Sequence, residues 1–123
     1  MGTEPKDQQD GAADVGAMMH VADLAALIEV APDSTVSRTV LKAQGVRVVL
    51  FSFDAGQELT EHTAAVPVLV QVLDGQLRVG VAGKYVELAP GGVVHIAAPA
   101  PHEILARTPA RMALTMLDPR VTA

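Results

Sequence analysis

The segment GQELTEHTAAVPVLVQVLDG, from Gly56 to Gly75, decides the fold class of this chain. Valines alternate with other residues from Val68 to Val72, which is the period-two pattern of a β-strand with one buried face. The strand ends in Asp74-Gly75, a pair that suits a tight two-residue turn, and a second alternating run follows it. We therefore predict a hairpin here, with a single histidine, His62, on its approach.

The composition excludes several classes of function. The 123 residues fit a single domain, and the absence of Cys excludes disulfides, thiolate metal sites and cysteine nucleophiles. Nine basic against fourteen acidic residues, a net charge of −5, predict that nucleic acid is not a partner. No apolar run approaches the roughly 20 residues of a membrane span, and the polar start does not resemble a secretory signal. We expect a soluble, cytoplasmic protein with no membrane partner.

The order of patterns along the chain predicts an all-β domain. Residues 1–18 lack an apolar period and are expected to form a disordered tail, so that residues 19–123 make a single domain. Residues 21–28 have helical spacing, which predicts a short helix or an extended segment before Pro32. Eight short segments, rich in β-branched residues and separated by Gly, Pro or Asp, then indicate a sandwich or barrel. The predicted strands are Val36 to Leu41, Val46 to Phe53, Val66 to Leu73, Gln76 to Val81, Tyr85 to Leu88, Val93 to Ala97, His102 to Ala106 and Met112 to Leu117.

With its strands in this order, the chain resembles the cupin superfamily. The first half of the cupin signature is Gly, five residues, His, one residue, His, three or four residues, Glu, six residues, Gly. Gly56, His62 and Gly75 fall on this pattern, but Ala64 stands at the second histidine and Val68 at the glutamate. The first half of the signature therefore keeps its spacing but lacks the second histidine and the glutamate.

The second half of the signature is Gly, five residues, Pro, one residue, Gly, two residues, His, three residues, Asn. Gly91 and His102 match it, while Ala97, Pro99 and Ala106 replace the Pro, the inner Gly and the Asn. A competing register would use His95 as the motif histidine, but it lacks a glycine at the required distance upstream. We prefer His102.

The resemblance covers about residues 27–117 and implies a specific fold. It predicts a double-stranded β-helix, the jelly-roll or cupin barrel, built from two antiparallel sheets as in the RmlC-like, single-domain members. Small cupins commonly pair with a second copy, so the resemblance also implies a homodimer. Apolar surface on the early strands and an open sheet edge point the same way.

The candidate site follows from the two surviving histidines. Metal-binding cupins take three ligands from the first half of the signature and one from the second, so the resemblance carries over His62 and His102 alone. No cofactor is firmly predicted, and a weakly bound Zn, Fe, Mn or Ni ion stays open. Period-two alternation suggests Glu58 as a further group on the face of His62. The predicted ligand-binding residues are His62, His102, Ala64, Val68 and Val70.

Three functions compete at this point. The first is a barrel that binds a small molecule near His62 and His102, above an aliphatic floor. The second is a metal-dependent enzyme, a dioxygenase or an isomerase or epimerase, acting on a small oxygenated substrate. His62 is the candidate general base if there is catalysis. The third is a dimeric structural or interaction protein without a working pocket.

Overall fold

The computed structural model describes residues 12–122, without the side chains of Asp14 and Val15. This part of the chain forms eleven strands and one short 3-10 helix, Leu24–Leu27. The strands are β1 (Ala13–Val15), β2 (Met18–His20), β3 (Thr35–Ala43), β4 (Val46–Phe53), β5 (Glu58–His62), β6 (Val68–Asp74), β7 (Leu77–Val81), β8 (Lys84–Leu88), β9 (Val93–Ile96), β10 (His102–Ala106) and β11 (Ala110–Leu117). No helix in residues 12–122 is long and apolar enough to cross a membrane.

Two antiparallel sheets face each other. The five-stranded sheet has the order β3-β4-β11-β6-β9, and the four-stranded sheet has the order β5-β10-β7-β8. Strands β1 and β2 form a separate hairpin. Because the inward positions alternate with outward ones, each sheet contributes every second residue to the core between the sheets. The buried residues of this core are Phe53, Val68, Val70, Val72, Leu77, Val79, Ile96, Ile104, Ala106, Ala110 and Met112.

A strap of residues 24–29 covers part of the outer face of the five-stranded sheet. Leu24, Leu27 and Ile28 pack on this face against a second buried cluster that includes Leu50 and Val40. Three side chains of the sheet donate hydrogen bonds to carbonyl oxygens of the strap. These bonds are Arg38 Nη1 to Leu27 (2.7 Å), Arg111 Nη1 to Ala25 (2.8 Å) and Ser52 Oγ to Glu29 (2.9 Å).

The predicted fold class is confirmed. Each of the eight predicted strands has a counterpart, and two antiparallel sheets enclose the predicted core. Strand β5 was absent from the predicted set, because ELTEH does not alternate cleanly between apolar and polar residues. The helix predicted over residues 21–28 is a single 3-10 turn, Leu24–Leu27, because only a short part of this segment packs on the sheet.

The predicted tail is partly ordered. Residues 1–11 lie outside the described part of the chain. Residues 13–18, also assigned to the tail, instead contribute to the β1–β2 hairpin, whose turn contains Gly16 with a φ of 77°. Their lack of an apolar period gave no signal for a hairpin this short.

The predicted hairpin at Asp74-Gly75 is wrong. Strands β6 and β7 flank this pair but belong to different sheets, so the chain crosses from one sheet to the other there. Gly75 has a φ of 76°, but Asp74 does not have the positive φ that a type I′ hairpin needs at both positions. The corner is tied to its neighbour by a bond from Gln76 N to Thr108 Oγ1 (3.0 Å).

The type I′ geometry occurs instead at Ala82-Gly83, between β7 and β8. Ala82 has a φ of 50° and Gly83 a φ of 81°, and Val81 pairs with Lys84 across the turn. Positive φ at both central residues is the signature of this hairpin. Gly83 separates two of the predicted strands, but an alanine in the left-handed region gives little sequence signal, which is why the type I′ geometry of this turn was not predicted.

Candidate functional site

Two histidines meet at one end of the barrel. His62 is the last residue of β5 and His102 is the first residue of β10, and the two are direct cross-strand partners. Their ring centroids are 4.3 Å apart, with an interplanar angle of 62°, so that the edge of one ring faces the other. Side chains directly opposite on antiparallel strands project to the same face, which explains how residues forty positions apart meet.

The two rings differ in exposure. His102 is buried, with 2% of its surface accessible, while His62 is exposed. His102 alternates with Glu103 and shares its face with Ile104, which is also buried in the core. The pair therefore lies at the rim, with one ring in the barrel wall and the other reachable from solvent.

Hydrogen bonds fix which nitrogen of each ring carries the proton. His62 Nδ1 lies 2.8 Å from the carbonyl oxygen of Thr60, and His102 Nδ1 lies 3.1 Å from that of Ala100. A carbonyl oxygen can only accept, so Nδ1 donates in both rings. In each neutral ring, Nε2 then carries the lone pair and is the atom left for a ligand.

A β-bulge aims His62 into the barrel. Leu59 pairs with Ile104 and His62 with His102, so three steps along β5 match two steps along β10. The extra residue lets Leu59 and His62 share the inward face, although they differ in parity.

The same bulge removes Glu58 from the site. Glu58 pairs with Leu105, whose neighbours Ile104 and Ala106 are both buried in the core. Glu58 therefore faces outward and lines an external cleft with Arg78 and Glu103, of about 270 Å³. The suggestion that Glu58 shares the face of His62 is wrong, because simple alternation does not hold across a bulge.

The remaining predicted ligand-binding residues are aliphatic and deep. Val68 and Val70 are fully buried on β6, and Ala64 packs against the same core from the segment that follows β5. Among residues 12–122, Ser52 and His102 are the buried polar side chains. Ser52 bonds to the strap on the outer face, so His102 is the buried polar side chain on the inner side. The structure brings His62 and His102 together and sets the valines beneath this end of the barrel.

The donor set does not fit a resident metal ion. Within residues 12–122, no group of three or more His, Cys, Asp or Glu side chains converges in a way that could hold one. Structural and catalytic metal centres in proteins use three or four protein ligands, and Ala64 and Val68 offer no lone pair.

The other titratable residues singled out from the sequence lie outside the barrel. His95 is exposed on β9 and pairs with Leu69 on the outward face, which agrees with the choice of His102 as the motif histidine. Glu61 is exposed, and Glu103 is half-buried on the outer face, 3.9 Å from Arg78. Because neighbouring residues of a strand point to opposite faces, Glu61 and Glu103 face away from the histidines beside them.

Sequence reasoning missed a charged residue on the inner side. Arg47 in β4 is separated by even steps from Phe51 and Phe53, which pack in the core, whereas Leu50 packs on the outer face. The signal was available, because period-two alternation within the predicted strand Val46 to Phe53 puts Arg47 on the phenylalanine face.

Known proteins support the fold. A scan against protein-family models finds no match, and a search of the curated proteins finds none either. Solved structures do match. A cupin superfamily protein from Desulfitobacterium hafniense is 24% identical, with a TM-score of 0.74 over 80% of this chain and 91% of that one.

Two further structures are similar. A cupin 2 conserved barrel domain protein from Leptotrichia buccalis is 29% identical, with a TM-score of 0.72 over 77% of this chain and 46% of its own. An RmlC-like cupin from Desulfovibrio desulfuricans is 22% identical, with a TM-score of 0.72 over 81% of this chain and 97% of its own.

The two facing antiparallel sheets, with a histidine pair at one end, define a small jelly-roll barrel. The chain has the fold of the small cupin structures to which it is similar.

Proposed function

We propose that this cupin-fold protein binds a small molecule at the His62–His102 pair and does so without a resident metal ion. The observation that carries this function is the 4.3 Å approach of two imidazoles whose Nδ1 atoms are both engaged by backbone carbonyls. Groups held in this way are oriented before a ligand arrives, so little rotamer freedom is lost on binding.

The chemistry of the pair suits a ligand with a hydrogen-bond donor and an apolar body. In their neutral forms the two rings offer Nε2 lone pairs that accept from a hydroxyl group. The adjoining wall is aliphatic, with Val68 and Ile96 buried and Met116 half-buried on neighbouring strands. A few placed polar groups in an apolar cavity are the usual composition of a small-molecule site.

Binding is favoured over catalysis by what surrounds the rings. A general base such as His62 needs a partner that stabilises the charge formed when a proton is removed. His102 is the buried polar side chain on the inner side of the described chain, and it is already paired with His62. The metal-dependent alternative would need ligands at positions 64 and 68, where the chain has Ala and Val.

The test follows the two imidazoles by nitrogen-15 NMR while 3-methylbutane-1,2-diol or 2-hydroxy-3-methylbutanoate is added. Resonances of both rings should move together, with one dissociation constant, when at least one of these probes is added. His62→Ala should abolish the response of His102, and His95→Ala is the matched control that should leave it unchanged. If neither probe moves either ring, this site does not bind such molecules.

A further inference from the structure

Arg47 lies in a row of inward-facing residues that crosses the five-stranded sheet. Register pairs Arg47 with Met116 of β11, Met116 with Val68 of β6, and Val68 with Ile96 of β9. Directly paired residues on antiparallel strands share a face. Val68 and Ile96 are buried in the core, so the row faces the interior of the barrel.

This row lies at the end of the barrel that holds the histidines. Strands β4 and β5 belong to opposing sheets and are joined by only four residues, 54–57. A connection this short makes the two strands neighbours across the barrel and reverses the chain direction. The start of β4, where Arg47 is the second residue, is therefore opposite the end of β5, where His62 is the last.

The guanidinium of Arg47 has an unmet hydrogen bond. Its Nε is buried and has no hydrogen-bond partner in the described structure. A buried donor without a partner is destabilising, and such groups in native proteins are uncommon. Arg47 as a whole is only partly buried, so part of the residue is open to solvent.

Asp118 interacts electrostatically with two arginines, Arg120 and Arg47. Asp118 receives hydrogen bonds from Arg120 Nε (2.9 Å) and Nη2 (3.1 Å). These bonds are the main cause of the lowered pKa of Asp118, and the charge of Arg47 adds a smaller contribution in the same direction. Arg120 therefore bonds to both carboxylate oxygens of Asp118.

We infer, on the basis of the proposed function, that Arg47 is the anion-recognising residue of the histidine site and that the ligand is a small organic acid. The planar guanidinium takes a carboxylate through two parallel N–H donors, here those of its two Nη atoms. The apolar body of the acid then lies along Met116 and Val68. A hydroxyl or other donor group of the same molecule reaches Nε2 of the histidines.

This arrangement discriminates between an acid and its neutral counterpart. A carboxylate gains charge-assisted hydrogen bonds that an alcohol of the same carbon skeleton does not. One such interaction changes affinity by about tenfold or more. The predicted specificity is therefore for 2-hydroxy-3-methylbutanoate over 3-methylbutane-1,2-diol, with the hydroxyl and aliphatic contacts of the two probes kept equal.

The test measures dissociation constants of both probes by calorimetry and by the imidazole resonances. In the native protein, 2-hydroxy-3-methylbutanoate should bind about tenfold more tightly than 3-methylbutane-1,2-diol. Arg47→Gln should remove that preference and leave the affinity for the diol unchanged. Arg47→Lys keeps the positive charge but loses the two parallel N–H donors of the guanidinium, so it should retain only part of the preference for the acid. Arg78→Gln, on the outward face of β7, is the control and should change neither constant.

The outcomes separate the two levels of inference. If both probes bind equally, and Arg47→Gln changes neither, the histidine site stands and the role of Arg47 is wrong. If neither probe moves the imidazole resonances, both are wrong. Thermal melting of each variant shows whether it folds. If Arg47→Gln does not fold, Arg47→Lys provides the test. Binding of the acid that is as tight in Arg47→Lys as in the native protein then overturns the role of Arg47.

Discussion

Leu59 and His62 face the same side of β5 although they are three residues apart. Leu59 is paired with Ile104 in the core, and His62 is paired with His102 at the rim. A regular strand would direct residues of unlike parity to opposite faces, so the extra residue of the β-bulge makes this arrangement. The bulge therefore positions the exposed half of the histidine pair, and it leaves Glu58 on the outside.

Two imidazoles should give only weak metal binding. We expect that Zn²⁺ added to the purified protein binds with low affinity and is lost on gel filtration, because two ligands are fewer than a stable centre uses. His62→Ala and His102→Ala should each remove the binding, whereas His95→Ala should not. Calorimetry measures the affinity for Zn²⁺, and metal analysis after desalting measures how much of the ion stays bound. Retention of one ion per chain through desalting would contradict the expectation.

Restoring the two lost signature residues should create a strong metal site. In Ala64→His/Val68→Glu, three imidazoles and one carboxylate would be available, and we expect one divalent ion per chain to remain after desalting. Val68 is 1% exposed, so Val68→Glu alone should lower the free energy of unfolding by about 3 kcal/mol. Added metal should recover much of that loss in the double variant. Equal metal content in the double variant and the native chain would show that the positions do not converge.

The architecture was readable from the sequence because it depends on local alternation and turn residues. The eight predicted strands and the cupin signature both rest on spacing, which a single sequence contains. The failures share one cause, since the bulge at β5 and the crossing at Gly75 depend on which strands pair. Arg47 is different. Its face was set by alternation with Phe51 and Phe53, but the part of the opposite sheet that it faces depends on how the two sheets are stacked.

Gly75 should be far less tolerant of substitution than Gly56. Both have positive φ, at 76° and 82°, but a Cβ at Gly75 would overlap the carbonyl of Pro109, while a Cβ at Gly56 would meet nothing within 4 Å. Gly56→Ala should cost roughly 1 kcal/mol of stability, from the backbone conformation alone. Gly75→Ala should cost clearly more, because the backbone of the neighbouring corner must move. Urea unfolding measures both, and equal losses would contradict the packing described for this corner.

Ala82 offers a stabilising substitution. It occupies the left-handed region with a φ of 50°, where a residue other than glycine is disfavoured by about 1 kcal/mol. Asn tolerates this conformation and is common in type I′ hairpins, so Ala82→Asn should raise the melting temperature. Gly83→Ala, at the other central position with a φ of 81°, should lower it. A lower melting temperature for Ala82→Asn would show that the turn is not of this type.

Self-association is expected from the surfaces at the start of the chain. The β1–β2 hairpin has two strands and an exposed Met18, at 58% accessibility, and a hairpin of this size is marginally stable alone in water. Strand β3 is at the edge of the five-stranded sheet, and its Val36 is 36% exposed. An unpaired edge next to exposed apolar side chains favours pairing with a second copy. Light scattering should give about twice the 12.8 kDa chain mass at micromolar concentration, and Met18→Lys should shift it toward the monomer. A monomer mass for the native chain would rule out the homodimer. Arg107→Gln, in the exposed connection between β10 and β11, serves as the control for a general effect of substitution.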